Sequence, residues 1–443
     1  MHGSRYQNGS MTEAARTSLP GETIGRNWAG SYTYRAATLA RPSTIAEVQS
    51  VVSAGSRVRA LGSRHSFTGI ADSTGTLVTL DSLPSRLELD EGARTVTVAA
   101  GARYGDVAIA LQSRGWALHN LASLPHISIA GAIATGTHGS GDRNGTLAAA
   151  VASIDLVLAS GELITLSRGE ADFAGAVVSL GALGVVVSVT LDIQPTFDVR
   201  QDVYDALPWD SLLTHFDAVT SSAYSVSVFT DWQGDTIGST WLKSRMDEPT
   251  PRDDLFGAAR LGTDRHPLPD QPPLNTTQQG GVPGPWSDRL AHFKLGYTPS
   301  NGNELQSEYL VPRSAAVQAI EAVRALRSRV GPLLMISELR TMTADDLWLS
   351  GAYDRDTVAI HFTWKPLPVE VAAVLPAIES ALLPLGGRPH WGKVFSADAA
   401  AIAPLYPRLD DFRHLVARLD PSGKFGNAYL DRHVFGGGRT TTG

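Results

Sequence analysis

The stretch GSRHSFTG (62–69) sets a histidine, His65, among Gly62, Ser63, Arg64, Ser66, Phe67, Thr68 and Gly69. Glycines and short hydroxyl side chains let consecutive backbone N–H groups converge on anionic oxygens. The loop lacks the Lys-Ser/Thr ending of a nucleotide-hydrolase phosphate loop, and the G-x-G-x-x-G fingerprint is absent. Alone it reads equally well as an ordinary strand–loop–helix turn. A second run of the same character, ATGTHGSG (134–141), follows SIAG (128–131) further along the chain. Two such loops in one domain suit a long ligand with a pyrophosphate centre better than a single phosphate. The alternative is two independent tight turns. Arg64 already offers charge, so the imidazole of His65 adds something else. Neutral imidazole is a competent nucleophile near pH 7, and the ring methyl of a flavin becomes electrophilic once deprotonated. A histidine held there can bond to it covalently. By residue type alone, a hydrogen-bonded loop histidine is the commoner outcome.

A second group of candidates lies in strand-like segments later in the chain. In MISELRTM, alternation puts Ile336, Glu338, Arg340 and Met342 on one face, so two opposite charges point the same way. In VAIHFTW, Val358, Ile360, Phe362 and Trp364 share an apolar face, and His361 and Thr363 share the other. LQSEY presents Gln306 and Glu308 together. Adjacent strands with these faces predict a polar ceiling over a pocket. The plainer readings are a surface ion pair for Glu338 and Arg340 and a structural histidine for His361. Apolar backing faces and several polar pairs in one sheet favour the pocket.

The elements that must position these residues are legible in outline. TIAEVQSVVSAG (44–55) has helical spacing, with Thr44 or Ser43 as cap. VRAL reads as a short strand feeding the His65 loop. TLVTLDSL and RTVTVAAG alternate as strands, and YGDVAIALQSRG predicts a helix closed by Gly115. Residues 121–146 are too rich in small residues for one regular element and read as loops with one short helix. VASIDLVLASGELITLSR predicts a hairpin, and SLGALGVVVSVTLDIQP a long β-rich run. After Pro195 the texture changes, with a Pro/Gly/Gln-rich loop over about 262–286. LQSEYLVPR, LMISELRTM and TVAIHFTWK predict strands there, with SAAVQAIEAVRALRSRVG as an amphipathic helix after the first. The fold class this implies is α+β: a cofactor domain over 21–195, an inserted antiparallel-sheet cap over 196–390, and a C-terminal return over 391–443.

Composition bounds the rest. A chain of 443 residues is expected to hold more than one core. A net charge of −7 gives no general attraction to nucleic acid or anionic membranes. No apolar run reads as long enough to span a bilayer, and no signal pattern opens the chain. The first residues, MHGSRYQNGSM, read as an expression-derived or disordered tail over about 1–20. Zero cysteines exclude disulfides, thiolate nucleophiles and cysteine metal sites, and point to the cytoplasm. No metal and no protein partner is expected.

The segments NWAGSYTY, RVRALGSRHSF, LASLPHISIAGAIATGTHGSG, SLGALGVV, GVPGPW, LQSEYL, DTVAIHFTW and RPHWGKVF occur in order from about residue 26 to 430. Together they resemble the bacterial alditol (xylitol) oxidase family of the vanillyl-alcohol-oxidase flavoprotein superfamily. The resemblance implies a two-part FAD-binding domain of the PCMH type with a cap over the reactive ring. It implies FAD with one covalent link, from His65 to the flavin 8α-methyl. A second, cysteine-based attachment has no counterpart here. It places Gly62, Ser63, Arg64, Ser66, Phe67, Ser123, Ser128, Gly131, Thr135, Gly136, Thr137, His138 and Gly139 along the FAD. The backbone near Val187 and Leu191 is expected at the adenine end and Asn427 at the flavin edge.

At the substrate the resemblance places Ser123, Glu338, Arg340, Thr363 and Lys393, with Gln306 and His361 nearby. That set suits a polyol, which has a hydroxyl on every carbon and needs matched donors and acceptors. The implied reaction takes the C1 hydroxyl proton, passes the C1 hydride to flavin, and returns two electrons to O2 as hydrogen peroxide. His361 and Lys393 are the candidates for taking the proton, and Arg340 for stabilising the alkoxide. Ala122, beside Ser123, would leave room for O2. The implied partners are a small-molecule polyol and O2. A sugar-lactone oxidase or dehydrogenase of the same superfamily, or a non-catalytic flavin-binding protein, are the alternatives. A serine hydrolase is disfavoured because no G-x-S-x-G elbow is present.

Overall fold

The computed structural model describes residues 24–297 and 303–437, and the tail expected over 1–20 lies outside them. Local chemistry sets the first elements. Thr44 caps the Ile45–Ala54 helix by accepting the Glu47 N–H at 3.1 Å, while the Glu47 carboxylate accepts the Ser43 N–H at 2.7 Å. Val48 and Val52 form its buried face. The Tyr104–Gln112 helix is followed by Gly115 at φ +78°, a left-handed turn that glycine takes without strain.

Three short strands, Thr38–Ala40, Thr76–Val78 and Val58–Ala60, form a parallel sheet with Thr76–Val78 in the middle. The His65 loop leaves the end of Val58–Ala60. A five-stranded antiparallel sheet follows, in the order Leu87–Asp90, Thr95–Ala99, Val185–Asp192, Val151–Val157, Leu163–Ser167. Within 121–146 the regular element is the Ile129–Ala134 helix, and the remainder is loop, as its composition predicts.

The later half is built on a ten-stranded sheet. Its long strands run antiparallel in the order Asp198–Asp205, Ser239–Arg245, Ser225–Thr230, Leu334–Met342, Thr357–Trp364, Leu305–Pro312. Strand alternation divides the two faces. Val358, Ile360, Phe362 and Trp364 pack with Ile320 and Val323 of the Ala316–Ala325 helix and Val371, Val374 and Ile378 of the Pro368–Leu382 helix. Each such side chain contributes ~1.5–3 kcal/mol by leaving water. The opposite face is polar and turns toward the cofactor domain.

Two sequence expectations change here. The stretch Pro368–Leu385 is long and apolar enough, by length and composition, to cross a bilayer. Its inward face packs in the cap core, and its buried Glu379 accepts a 2.9 Å hydrogen bond from Tyr309, as a core helix does. The first core is also less segregated than the division at residue 195 suggests, because Trp286, Leu347, Trp348 and Leu349 of the later half pack into it.

The C-terminal return is fastened to the His65 loop by buried polar groups. Arg59, 2% exposed, donates to the carbonyls of Gly181 (2.9 Å), Phe425 (2.8 Å), Leu180 (2.7 Å) and Ile70. Asn427 Nδ2 donates to the carbonyls of Gly69, Ile70 and Asp72 at 2.9–3.1 Å. Hydrogen bonds from a charged group such as Arg59 are worth ~1.5–3 kcal/mol each, and neutral ones such as those of Asn427 about 0.5–1.5 kcal/mol.

Candidate active site

A cavity of about 740 Å³ lies between the cofactor domain and the polar face of the cap sheet. Its floor is made by the two glycine-rich loops. Ser63 N–H donates to Ser128 Oγ (3.2 Å) and Ser128 N–H donates to Ser63 Oγ (2.9 Å), a reciprocal pair that joins them. Closeness also depends on glycine: a Cβ on Gly62 would sit 2.5 Å from Ser128 Oγ. Gly62, Ser63, Arg64, His65, Ser66 and Phe67 line this floor from one loop. Ser123, Ser128, Gly131, Thr135, Thr137 and His138 line it from the other side, with Ala122 next to Ser123. Arg64 adopts φ +63° and its guanidinium donates to the Ile24 carbonyl at 2.8 Å.

His65 is the unusual member. Its ring stacks on Trp28 with centroids 5.2 Å apart, and both ring nitrogens are buried without a hydrogen-bond partner. Burial pushes its pKa down to about 4, against a weaker pull from the Ser63 backbone and with a small push from His126. The imidazole is therefore neutral at pH 7, with a free lone pair.

Several expected cofactor contacts stand behind the wall instead. Gly136 is at φ +67° and turns the chain after the Ile129–Ala134 helix. Gly139 packs on the Leu121 carbonyl, where a Cβ would come within 2.5 Å. Asn427 holds the Gly69–Asp72 carbonyls and is spent on them. The side chains of Val187 and Leu191 enter the cores, while the chain next to Val187 meets the cavity at Gly184 and Val186.

Antiparallel register builds the ceiling. Glu308 is paired with His361, His361 with Glu338, and Glu338 with Phe229, so one row crosses four strands. Gln306, Thr363 and Ile336 form the next row. Ile336, Glu338 and Arg340 line the cavity as alternation predicts, but Met342, further along, packs with Leu310 and Ala359. Met335 also reaches the cavity, beside the register shift between Leu334 and Ile336.

Charges in this ceiling are buried and paired. Arg340 donates to Glu308 Oε1 at 2.7 Å and to Ser123 Oγ at 3.3 Å, and its Nε lies 3.6 Å from Glu338 Oε2. Lys393 Nζ donates to Glu308 Oε2 at 2.6 Å and to His361 Nδ1 at 2.7 Å. The other His361 nitrogen, Nε2, pairs with Thr363 Oγ1 at 3.0 Å. Gln306 donates to Glu304 at 2.6 Å. Burial alone would raise the Glu308 carboxyl, but Lys393, His138 and Arg340 together hold it well below the usual carboxylate range. Glu338 is likewise held low, by Arg340 and His292 against burial. Burial lowers Lys393 and, with the Lys393 charge, lowers His361 well below the ordinary imidazole value.

Ser123, Gln306, Glu338, Arg340, His361, Thr363 and Lys393 thus face one cavity with His65. Sequence reasoning left out two neighbours, His292 and Trp28, and gave a third, Glu308, no role of its own. Glu308 was paired with Gln306 by alternation, but its role as the common anion of Arg340 and Lys393 depends on strand order. His292 Nε2 lies 2.8 Å from Glu338 Oε1, which as a carboxylate accepts, and His292 comes from a loop without periodic pattern. Trp28 lay inside a recognisable motif, yet nothing local marks it as the partner of His65.

Cavity and chemistry fit a flavin dinucleotide. The floor offers a long glycine-lined groove, an unpartnered neutral imidazole, and a cap of polar side chains facing it. A family model described as an FAD binding domain matches residues 36–167, and one described as D-arabinono-1,4-lactone oxidase matches residues 300–433. An alditol oxidase from a Streptomyces species is 48% identical over 411 residues, spanning 92% of this chain and 98% of that protein. The L-gulono-1,4-lactone dehydrogenase of Mycobacterium tuberculosis is 31% identical over 427 residues, spanning 92% and 98%. Among solved structures, cholesterol oxidase from Brevibacterium sterolicum superposes with a TM-score of 0.75 at 15% identity, spanning 95% of this chain and 100% of that one, a likeness of fold. The fold and site define an FAD-dependent oxidoreductase of the two-part, PCMH-type class. Within that class, the chain belongs to the alditol oxidase family of the vanillyl-alcohol-oxidase flavoprotein superfamily.

Proposed function

We propose that the chain is an FAD-dependent alditol oxidase that converts the terminal C1 hydroxyl of a polyol such as xylitol or sorbitol to the aldose. The observation that carries this reading is the buried polar ceiling, in which Glu338, Arg340, Thr363 and Lys393 face Ser123 across one cavity. When bound, FAD supplies hydride acceptance and passes the electrons to O2, giving hydrogen peroxide. Gly62–Phe67 and Ser128, Gly131, Thr135 and Thr137 would hold it, with His65 as the covalent attachment. The division into 21–195 and 391–443 against 196–390 is read as floor and cap, with Lys393 of the C-terminal return reaching up into the ceiling.

The residues divide the work by chemistry. Glu338 accepts from substrate hydroxyls, and Ser123 and Thr363 complete the match. Arg340, already oriented by Glu308, favours the developing alkoxide. His361 has both nitrogens engaged, one accepting from Lys393 and one with Thr363. Lys393 Nζ has two of its positions committed, so in its neutral form it has a lone pair for the hydroxyl proton. In the resting site Lys393 is the charged partner of Glu308, and burial lowers its pKa against that carboxylate, easing the loss of a proton. A cytoplasmic location and action on a free small molecule complete the reading.

The match to a lactone oxidase model over 300–433 supports a second reading, oxidation of an aldonolactone. One experiment separates them: oxygen uptake with peroxide assay on xylitol, sorbitol and galactono-lactone. Polyol turnover with aldose and equimolar peroxide is expected. Turnover of the lactone alone would replace the proposal.

A further inference from the structure

Behind Glu338 lies a chain of buried groups that ends on a lysine. Lys243 stands in the Ser239–Arg245 strand and is 1% exposed. Its Nζ lies 2.6 Å from the Leu290 carbonyl, 2.9 Å from the Ala291 carbonyl and 3.1 Å from His292 Nδ1. An ammonium has three N–H donors and no acceptor. Against burial, Glu338 is held ionised by Arg340 and His292 and can only accept, so His292 Nε2, 2.8 Å from Glu338 Oε1, carries the ring proton and Nδ1 the lone pair. Three acceptors then face Nζ, which an ammonium satisfies completely and a neutral amine, with two donors, does not. The ammonium in turn holds that tautomer. The tautomer is set by this chemistry.

Surrounding groups reinforce the assignment. Burial and the Lys243 charge hold the His292 pKa at about 4, so the ring is neutral near pH 7. Burial also pulls Lys243 down to about 7, with Glu338 pulling it back up. Trp241 and Phe229 meet the His292 ring edge-on at 5.3 Å and 5.6 Å, with Ser227 Oγ 3.4 Å from Nε2, and His292 itself is part of the cavity lining beside Glu338. The backbone of the same loop holds the other side of the cavity: His292 N–H and Phe293 N–H both donate to the Ser123 carbonyl, at 3.1 Å and 3.2 Å. One residue thus fixes Ser123 through its backbone and Glu338 through its ring.

We infer that Lys243 and His292 are positioning residues for the alcohol oxidation. Lys243 fixes the Nε2–H tautomer of His292, and His292 occupies Glu338 Oε1 so that Oε2 is the oxygen presented to substrate hydroxyls. This rests on the reading of Glu338 as a polyol acceptor. The assignment has a stereochemical signature. A glutamine amide nitrogen reaches the place of Nε2 and can donate to Glu338, while an asparagine amide reaches only the place of Nδ1.

The test compares His292→Gln with His292→Asn, alongside Lys243→Met, in the FAD-loaded protein. His292→Asn is expected to raise the polyol KM about tenfold or more, with a smaller fall in kcat, and His292→Gln to recover most of that loss. Histidine 15N NMR provides a readout independent of turnover: the wild-type His292 should show a protonated Nε2 and a bare Nδ1, and Lys243→Met should change that state. Equal impairment by Gln and Asn, or no effect of either, would overturn the inference, as would a protonated Nδ1 in the wild type. If Lys243→Met does not fold, the His292 pair and the wild-type spectrum still decide. If the wild type oxidises no polyol, the functional reading fails, while the NMR result still settles whether Lys243 sets the tautomer.

Discussion

The floor and the ceiling of the cavity solve opposite problems. In the floor, His65 is buried against Trp28 with neither ring nitrogen hydrogen-bonded. In the ceiling, Glu308, Glu338, His361 and Lys393 each have a partner, and Glu308 answers two cations at once. Burying an unmet polar group is unfavourable by roughly 1–3 kcal/mol, so the floor is complete only with its ligand. The ceiling is largely paired beforehand: Arg340 donates through Nη1 and Nη2 and leaves only its Nε without a hydrogen bond among these charged groups. The floor leaves a whole imidazole unmet, whereas the ceiling leaves one N–H of an otherwise anchored guanidinium.

The largest expected effects fall on the ceiling. Arg340→Met removes the donor to Ser123 and one partner of Glu308, and kcat/KM for polyol should fall about a thousandfold. Glu338→Gln keeps the shape but weakens acceptance, and a fall of about a hundredfold is expected in the same steady-state assay. If either change left polyol kinetics intact while releasing flavin, the division into floor and ceiling would be reversed.

Acid stability sharpens the comparison from the other side. His65 and His292 are both held at about 4, below the ordinary imidazole value of about 6.5. The unfolded chain therefore binds protons that the folded apoprotein refuses. The contribution of these two rings should be level above about pH 6.5 and fall as pH drops toward 4, by roughly 3 kcal/mol for each ring. Thermal melts of apoprotein between pH 7 and 5 read about 2 kcal/mol of that loss for each ring. Attachment of flavin at His65 should remove that residue's share of the loss and leave that of His292.

The smallest effect concerns oxygen. Ala122 lines the cavity beside Ser123. Ala122→Val is expected to slow reoxidation by O2 several-fold and spare turnover with a dye acceptor. Equal slowing of both would assign Ala122 to packing.

Much of this architecture was legible in the chain because it rests on short-range rules. The Thr44 cap, the Gly115 stop and the two-residue alternation of 305–312, 334–342 and 357–364 fix elements locally. Alternation also identified which side chains share a face, and so found Glu338, Arg340, His361 and Thr363. It could not supply strand order, which sets Glu308 in a row with His361 and Glu338 and makes it the shared anion. His292 was invisible for a related reason: it sits in an aperiodic loop whose path is fixed by Lys243, Thr277 and Ser123, all distant in sequence. Gly136, Gly139 and Asn427 show the converse: the resemblance places them at the cofactor, but they are not among the residues lining the cavity, and turn geometry, close packing and carbonyl bonds account for them here. The Pro368–Leu385 stretch reads as too short an apolar run, although its length and composition suffice for a span; composition does not say which face meets a sheet.

The central claim is that the unpartnered imidazole of His65 is completed by flavin. It is tested by denaturing the purified protein in acid, removing small molecules, and measuring the mass and visible absorbance of the chain and of its His65 peptide. Retained yellow colour, with the mass of one FAD on that peptide and none in His65→Ala, is the predicted result. Release of all flavin from the wild type would contradict it and return His65 to the rank of a loop histidine.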